Sequence, residues 1–269
     1  MSSIETAREM RPIVQVWGGK FMTSPELAEV ESERGVGRRA LYLRGRSAVL
    51  GDPPPAVVAE LFGIFPRWLS DLVIPAATRA ITADAAVEAY VEALERWAKA
   101  HLAGIERPER LAELLLALVQ KADASGLALF AGWQRVPPPA DALARVGFGL
   151  MVLREYRGGL HFAALRAVGV TVPEAVVADP EGGRTRLLRT AWSPEQADEL
   201  VARAQANVDL LDRWRRAEDL TDERVAELLE AALSAEERAE LLDLLRKLEP
   251  TMTGSRTSGV PRPPVVREE

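Results

Sequence analysis

The segment Val152-Leu-Arg-Glu-Tyr-Arg-Gly-Gly-Leu-His-Phe-Ala-Ala-Leu165 places Arg154, Arg157 and His161 at successive spacings of three and four residues. On a helix these spacings put the three side chains within one narrow arc. His161 is one of only two histidines in the chain. The pair Gly158–Gly159 lowers helix stability by about 1 kcal/mol per residue, which indicates a close approach by another helix or by a ligand. The segment therefore predicts a helix that carries a candidate site.

Two interpretations of this segment stay open. In the functional one, Arg154 and Arg157 bind a carboxylate or phosphate through their planar guanidinium groups. His161 then donates a hydrogen bond or transfers a proton, which makes it the candidate catalytic residue. In the structural one, the arginines pair with buried carboxylates such as Glu155, and His161 is a core residue with satisfied hydrogen bonds.

A second basic segment, Leu41-Tyr-Leu-Arg-Gly-Arg-Ser-Ala-Val-Leu-Gly-Asp52, places Arg44, Arg46 and Ser47 between glycines. We predict a loop before a helix, which presents backbone N–H groups and cations to an anion. With Tyr42, these arginines complete the candidate ligand-binding set. The alternative is a turn whose arginines are solvated. The pattern matches neither a phosphate-binding loop nor a dinucleotide fingerprint.

Composition sets the class of protein. The chain has 269 residues, 48% of them hydrophobic and 28% charged, which are values typical of a globular protein. Cysteine is absent, which excludes disulfides, thiolate catalysis and cysteine-ligated metal sites. No metal-ligand spacing is present, so we expect neither a metal nor a cofactor. No signal core and no membrane-length apolar run are present, so we expect no membrane contact and a cytoplasmic location.

The net charge of −6 is unevenly distributed. Residues 185–250 carry 16 acidic and 10 basic side chains, and residues 1–184 carry 22 and 21. A nucleic-acid-binding protein usually presents a basic surface. The negative charge of the C-terminal part therefore disfavours DNA binding.

Helical periodicity dominates the chain and predicts a mainly α fold. Residues 85–102 and 111–127 carry apolar stripes, and Thr82 or Asp84 can cap the first of these helices. Residues 234–248 combine a capping box with an amphipathic helix. The best strand candidates are 41–43 and 187–192, and neither alternates cleanly.

Prolines and glycines suggest the domain organisation. The stretch Arg135-Val-Pro-Pro-Pro139 predicts a stiff linker. We therefore divide the chain into a helical N-terminal domain over 1–139 and a second domain over 140–250. Residues 251–269 have too little apolar content to pack, so we expect a disordered tail.

The second domain resembles a winged helix in its order of elements. The stretch from Trp192 to Thr221 begins with a capped helix, which corresponds to a recognition helix, and an apolar pair and a basic turn follow it. Arg213, Arg215 and Arg216 would form the wing, and residues 234–248 the closing amphipathic helix. The predicted recognition helix begins with carboxylates, and these repel phosphates.

Four segments carry a resemblance to a known family: Gly18–Glu26, Tyr42–Asp52, Phe62–Pro66 and above all Leu153-Arg-Glu-Tyr-Arg-Gly-Gly-Leu-His161. They resemble the SalK-like family of helical actinobacterial proteins, which are often described as helix-turn-helix proteins. The last segment is similar to that family's L-R-E-x-R-G-x-x-H signature. The end of the chain looks like the dimerisation helix of MarR-type regulators, which implies a homodimer.

Three functions follow as hypotheses. The first is a helix-turn-helix-class protein that binds a small anionic or polar ligand and is linked to specialised metabolism. The second is an enzyme of specialised metabolism with Arg154, Arg157 and His161 in a helical pocket. The third is a DNA-binding MarR-like transcriptional regulator.

Overall fold

The computed structural model describes residues 1–248, which form fourteen α-helices. The first eight are α1 Ser3–Lys20, α2 Pro25–Glu33, α3 Ala40–Ser47, α4 Pro55–Phe62, α5 Arg67–Ala80, α6 Ala83–His101, α7 Pro108–Lys121 and α8 Ala128–Trp133. The remaining six are α9 Ala142–Ala167, α10 Val172–Ala178, α11 Gly183–Arg189, α12 Pro194–Ala206, α13 Leu210–Ala232 and α14 Ala235–Arg246. Short 3₁₀ turns follow α1 and α3.

The central element is α9, on which α1, α6, α7, α8 and α13 all pack. Its run from Val146 to Leu153 is apolar on every side, and these residues are all buried. A helix that is hydrophobic all round must be surrounded by other elements. Fully burying a large apolar side chain contributes about 1.5–3 kcal/mol, so this run is a major source of stability. The prediction that residues 152–165 are helical is confirmed.

Side chains that cap helix N-termini fix several helix starts. Thr82 accepts a hydrogen bond from the Ala85 amide and begins α6, and Asp141 does the same for α9 with the Ala144 amide. Ser193 and Ser234 form complete capping boxes at α12 and α14. Each such cap satisfies amide groups that the helix leaves unpaired. The predicted capping box at Ser234 is confirmed.

Helices α10, α11 and α12 form a small three-helix unit with its own apolar centre. Val176, Leu187, Ala197 and Leu200 are its buried residues. The turn between α11 and α12 spans residues 190–193, and Ala191 adopts a left-handed conformation with φ 71°. In this turn the Trp192 indole Nε1 donates a hydrogen bond of 2.9 Å to the Ile64 carbonyl, just after α4. The unit is therefore joined directly to the N-terminal part of the protein.

Both strand predictions are wrong, since no strand occurs within residues 1–248. Residues 41–43 lie inside α3, and residues 187–192 form the end of α11 and the turn after it. The arginines assigned to a wing, Arg213, Arg215 and Arg216, all lie in α13. The winged-helix-like half is therefore not confirmed.

The physical reason is an apolar stripe with helical period along α13, which the short basic run obscured in the sequence. Its members are Leu210, Trp214, Ala217, Thr221, Val225 and Leu228. Their spacings of four, three, four, four and three residues place them on one face of a helix. This face packs on α1 and α9.

The core is continuous across the predicted boundary near residue 139. One cluster of buried residues joins Trp17 and Leu94 from the first predicted domain to Phe148 and Leu229 from the second. The division into 1–139 and 140–250 stays a prediction, and α9 of the second part packs on α1, α6, α7 and α8 of the first. The predicted tail over 251–269 lies outside the described residues.

By length and composition, no single described helix could cross a membrane, although α9 and α10 taken together, with a bend of 96°, meet the same criteria.

Gly18 allows α1 and α9 to cross closely. A Cβ atom at this position would lie 2.5 Å from the Leu150 carbonyl oxygen and 3.0 Å from the Arg154 Cβ. Because that oxygen cannot move without α9, we expect Gly18→Ala to lower the free energy of unfolding by about 2 kcal/mol. Urea unfolding followed by circular dichroism measures the change.

Gly158→Ala is the matched control, because Gly158 also lies inside a helix and no atom lies within 4 Å of its added Cβ. Alanine there should be neutral or raise the free energy of unfolding by up to about 1 kcal/mol. An equal loss of unfolding free energy in both variants would contradict the role assigned to Gly18.

Candidate functional site

A cavity of about 620 Å³ lies between α3, α4, α8 and α9. Its walls are mainly apolar and include Leu61 from α4, Leu127 and Phe130 at α8, and Phe162 from α9. Its charged lining residues are Arg46, Glu60, Glu155 and Arg166. Glu60 and Arg166 are exposed, whereas Arg46 and Glu155 are buried. The cavity thus combines an apolar interior with a few charged groups.

The glycine pair on α9 meets two different surroundings. A Cβ at Gly159 would lie 2.8 Å from the Leu127 Cδ2, so this glycine allows the chain before α8 to approach α9. A Cβ at Gly158 would meet no atom within 4 Å, and Gly158 lines the cavity. Gly159 therefore allows close packing, and Gly158 leaves open space beside the helix.

A buried ion pair borders the cavity. Arg46 Nε and Nη2 donate to Glu155 Oε1 and Oε2, each at 2.7 Å. The Arg46 guanidinium carbon also lies 4.5 Å from the centre of the Phe62 ring. Burial alone would lower the pKa of Arg46, but the Glu155 carboxylate raises it well above its usual value. Arg46 is therefore held in one orientation as a permanent cation.

Arg154 shares the same carboxylate. Its Nη1 lies 3.6 Å from Glu155 Oε1 and 3.9 Å from the Met22 sulfur, and Arg154 is not among the residues that line the cavity. Its buried Nε has no hydrogen-bond partner among the described residues. One carboxylate therefore faces two guanidinium groups.

Arg157 belongs to a separate network between α1, α9 and α13. Its Nη2 contacts Glu218 Oε2 at 2.5 Å and Asp222 Oδ1 at 3.4 Å. Arg11 Nη1 contacts the same two carboxylates at 3.2 and 3.1 Å. Two cations and two anions balance one another here. This arrangement agrees with the structural interpretation of Arg157.

His161 lies at the edge of that network. The Thr221 hydroxyl donates its only hydrogen to the Ala217 carbonyl at 2.7 Å, so its oxygen accepts from His161 Nδ1 at 3.1 Å. Nε2 then faces Glu218 Oε1 at 3.5 Å. Burial lowers the pKa of His161; Glu218 opposes this effect and Arg157 adds to it. Both ring nitrogens are therefore directed at protein groups.

The segment predicted to be a loop is the helix α3. Its two arginines, Arg44 and Arg46, lie in different surroundings. Arg44 is 1% exposed and donates to the carbonyls of Gly51 and Ile81 and to Asp52 Oδ1. Tyr42 packs edge-on against Phe65, with 5.5 Å between ring centres. Of the two arginines, Arg46 is the one that lines the large cavity.

The candidate residues thus do not form one site. Arg46 lines the large cavity. Arg154 contacts Glu155 but does not line the cavity, and Arg157 and His161 belong to the network with α13. The cavity face of α9 consists of Glu155, Gly158, Phe162 and Arg166. Their spacings of three, four and four residues follow the same helical period, so this stripe was detectable in the sequence. The sequence does not show which of the two stripes on this helix faces open space.

The exposed face of α12 is acidic at its start. Glu195, Asp198 and Glu199 are exposed there, and Arg203 is the basic residue of this helix. Arg184 from α11 pairs with Asp198 at 2.5 Å. No group of three or more histidine and carboxylate side chains within residues 1–248 is arranged to hold a metal ion.

The position of His161 gives a pH-dependent expectation. The unfolded chain takes up a proton near pH 6.5, whereas the folded protein resists it. The free energy of unfolding should therefore fall as the pH drops below 6.5 toward the lower pKa of the folded state. We expect His161→Asn, whose amide can still donate to Thr221, to weaken this dependence. Thermal unfolding on either side of pH 6.5 tests it.

The matched control is His101→Asn, which leaves His161 in place and should keep the acid-dependent loss of stability. An unchanged pH dependence in His161→Asn would show that other groups are responsible.

Comparison with known proteins identifies the family. The model of a helix-turn-helix family matches residues 7–258, which is nearly the whole chain. No curated protein matches the chain. No solved structure matches it either. The chain belongs to this helix-turn-helix family.

Proposed function

We propose that this helix-turn-helix-family protein binds a small anionic or polar organic molecule in the cavity between α3, α4, α8 and α9. The cavity of about 620 Å³ is within the range of small-molecule sites, which is roughly 300–1,000 Å³. Such sites are mostly apolar and contain a few fixed polar groups. The apolar walls and the Arg46–Glu155 pair fit that description.

The observation that carries the proposal is the state of Arg46. Two of its three nitrogens are used by Glu155. The third, Nη1, makes no hydrogen bond with any described residue, and the side chain is 10% exposed. Arg46 therefore keeps one oriented donor while it lines a cavity large enough for a ligand. Preorganised donors of this kind bind ligands with little loss of side-chain entropy.

The position of His161 does not favour the enzyme hypothesis. A general acid or base must reach the substrate directly or through one water. His161 is directed at Thr221 and Glu218, and it is not among the residues that line the cavity. The links to the SalK-like family, to specialised metabolism, to a homodimer and to the cytoplasm remain predictions from the sequence.

A ligand screen on the full chain tests the proposal. A thermal-shift screen of small organic molecules, with hits checked by native mass spectrometry, should find compounds that stabilise the protein. A ligand at a hundred times its Kd adds about 2.7 kcal/mol. We expect Gly158→Trp to abolish this stabilisation, because its indole would occupy the open space beside α9.

Gly158→Ala is again the matched control, since a methyl group leaves most of the cavity volume free. It should respond to the same compounds as the wild type. Hits that stabilise Gly158→Trp equally well would place the binding elsewhere and contradict the proposal, as would a screen without hits.

We expect weak binding to generic duplex DNA at physiological salt, in the non-specific range of roughly 10⁻⁶ M or weaker. The carboxylates at the start of α12 repel phosphates. Replacing Glu195 and Glu199 with lysine should strengthen binding and steepen its salt dependence. Fluorescence anisotropy with a labelled duplex over a salt series measures both quantities. Sub-micromolar binding by the wild type would support the regulator hypothesis instead.

A further inference from the structure

We infer that the ligand is an amphipathic monocarboxylate, with its carboxylate at Arg46 and its apolar part against the cavity walls. This inference rests on the proposed function and names the chemical class of its ligand. It is carried by the balance of buried charge on the two sides of α9.

The charges that share Glu155 do not balance, and of the three residues concerned Arg46 and Glu155 line the cavity whereas Arg154 does not. Arg46 and Arg154 contribute two positive charges, and Glu155 contributes one negative charge. Arg46 and Glu155 are 8% and 3% exposed, and the Arg154 side chain is 15% exposed. No other carboxylate pairs with Arg46 or Arg154 among the described residues. This cluster therefore has an excess of one positive charge.

The network on the other side of α9 shows the contrast. Arg11 and Arg157 face Glu218 and Asp222, so the charges there cancel within the protein. A buried charge without a partner is costly, and proteins normally pair it. The unbalanced cluster is the one that adjoins a large cavity, so an anion in that cavity would complete it.

The unused Nη1 donor of Arg46 indicates where the anion binds. Arg46 Nη1 is unused by described residues, and Arg46 lines the cavity. An anionic oxygen that accepts from Nη1 would make a charge-assisted hydrogen bond. Gly158 lacks a side chain on the same wall and leaves room for it.

The size of the missing charge favours a carboxylate over a phosphate group. A phosphate monoester carries about −1.5 to −2 at neutral pH, which would overcompensate an excess of one positive charge. The exposed lining ions Glu60 and Arg166 have opposite signs and offer no second excess of positive charge. The rest of the wall, with Leu61, Leu127 and Phe130, is suited to a hydrocarbon body.

The test uses matched probes on the full chain. Hexanoate, octanoate and decanoate are compared with their primary amides and with the corresponding alkyl phosphates by isothermal titration calorimetry. At least one carboxylate should bind about tenfold or more tightly than its amide, since a hydrogen bond to a charged group is worth that factor or more. It should also bind more tightly than the alkyl phosphate.

A double substitution tests whether the preference for carboxylates arises at the Arg46–Glu155 pair. Arg46→Gln combined with Glu155→Gln replaces the ion pair with a neutral pair of similar shape, and it should reduce the carboxylate preference to about twofold or less. Arg189→Gln, at an exposed position of α11 that does not line the cavity, is the control and should keep the preference. If the paired variant does not fold, the probe series on the wild type decides alone.

The outcomes separate the two proposals. Carboxylates and amides that bind equally, or phosphates that bind best, overturn the ligand class and leave the cavity as a binding site. The same holds if no carboxylate binds while Gly158→Trp blocks other hits. If neither these probes nor the wider screen gives a ligand that Gly158→Trp blocks, the proposed function fails as well.

Discussion

The orientation of α3 relative to α9 depends on one buried ion pair, between Arg46 in α3 and Glu155 in α9, which lie 109 residues apart in the chain. Glu155 is 3% exposed, and a buried carboxylate is costly for the folded state unless it is paired. The bidentate geometry fixes the distance and the rotation of α3 relative to α9. Since α4 follows α3 directly, this constraint also positions one wall of the cavity.

Helix α9 carries two kinds of polar surface on an otherwise buried element. One face joins α1 and α13 through charges that cancel, and such a network orients helices without attracting a ligand. The other face borders the cavity, and its Glu155 is shared between Arg46, which lines the cavity, and Arg154, which does not. The wall at α4 is also joined to the three-helix unit α10–α12, through the hydrogen bond from Trp192 to Ile64. The cavity and that unit are therefore parts of one packed structure.

Much of the fold could be predicted from local sequence features. Helical periods and capping residues placed α6, α7, α9 and α14, because both act over only a few neighbouring residues. The errors arose where a local pattern was ambiguous. The short apolar runs at 41–43 and 187–192 suit a strand or a buried helix equally well, and length alone does not separate the two. The basic run at 213–216 obscured the helical stripe of α13.

The sequence by itself determined the helical class, the central helix with its arginines and histidine, and the charge asymmetry of the chain, because these depend on composition and on spacing along one helix. Only the tertiary structure decided what each polar group does. Glu218 and Asp222 lie more than 60 residues from Arg157 in the chain, and no local pattern pairs them. Whether a guanidinium meets a carboxylate or an open cavity depends on which helix packs opposite. That packing is set by the whole core.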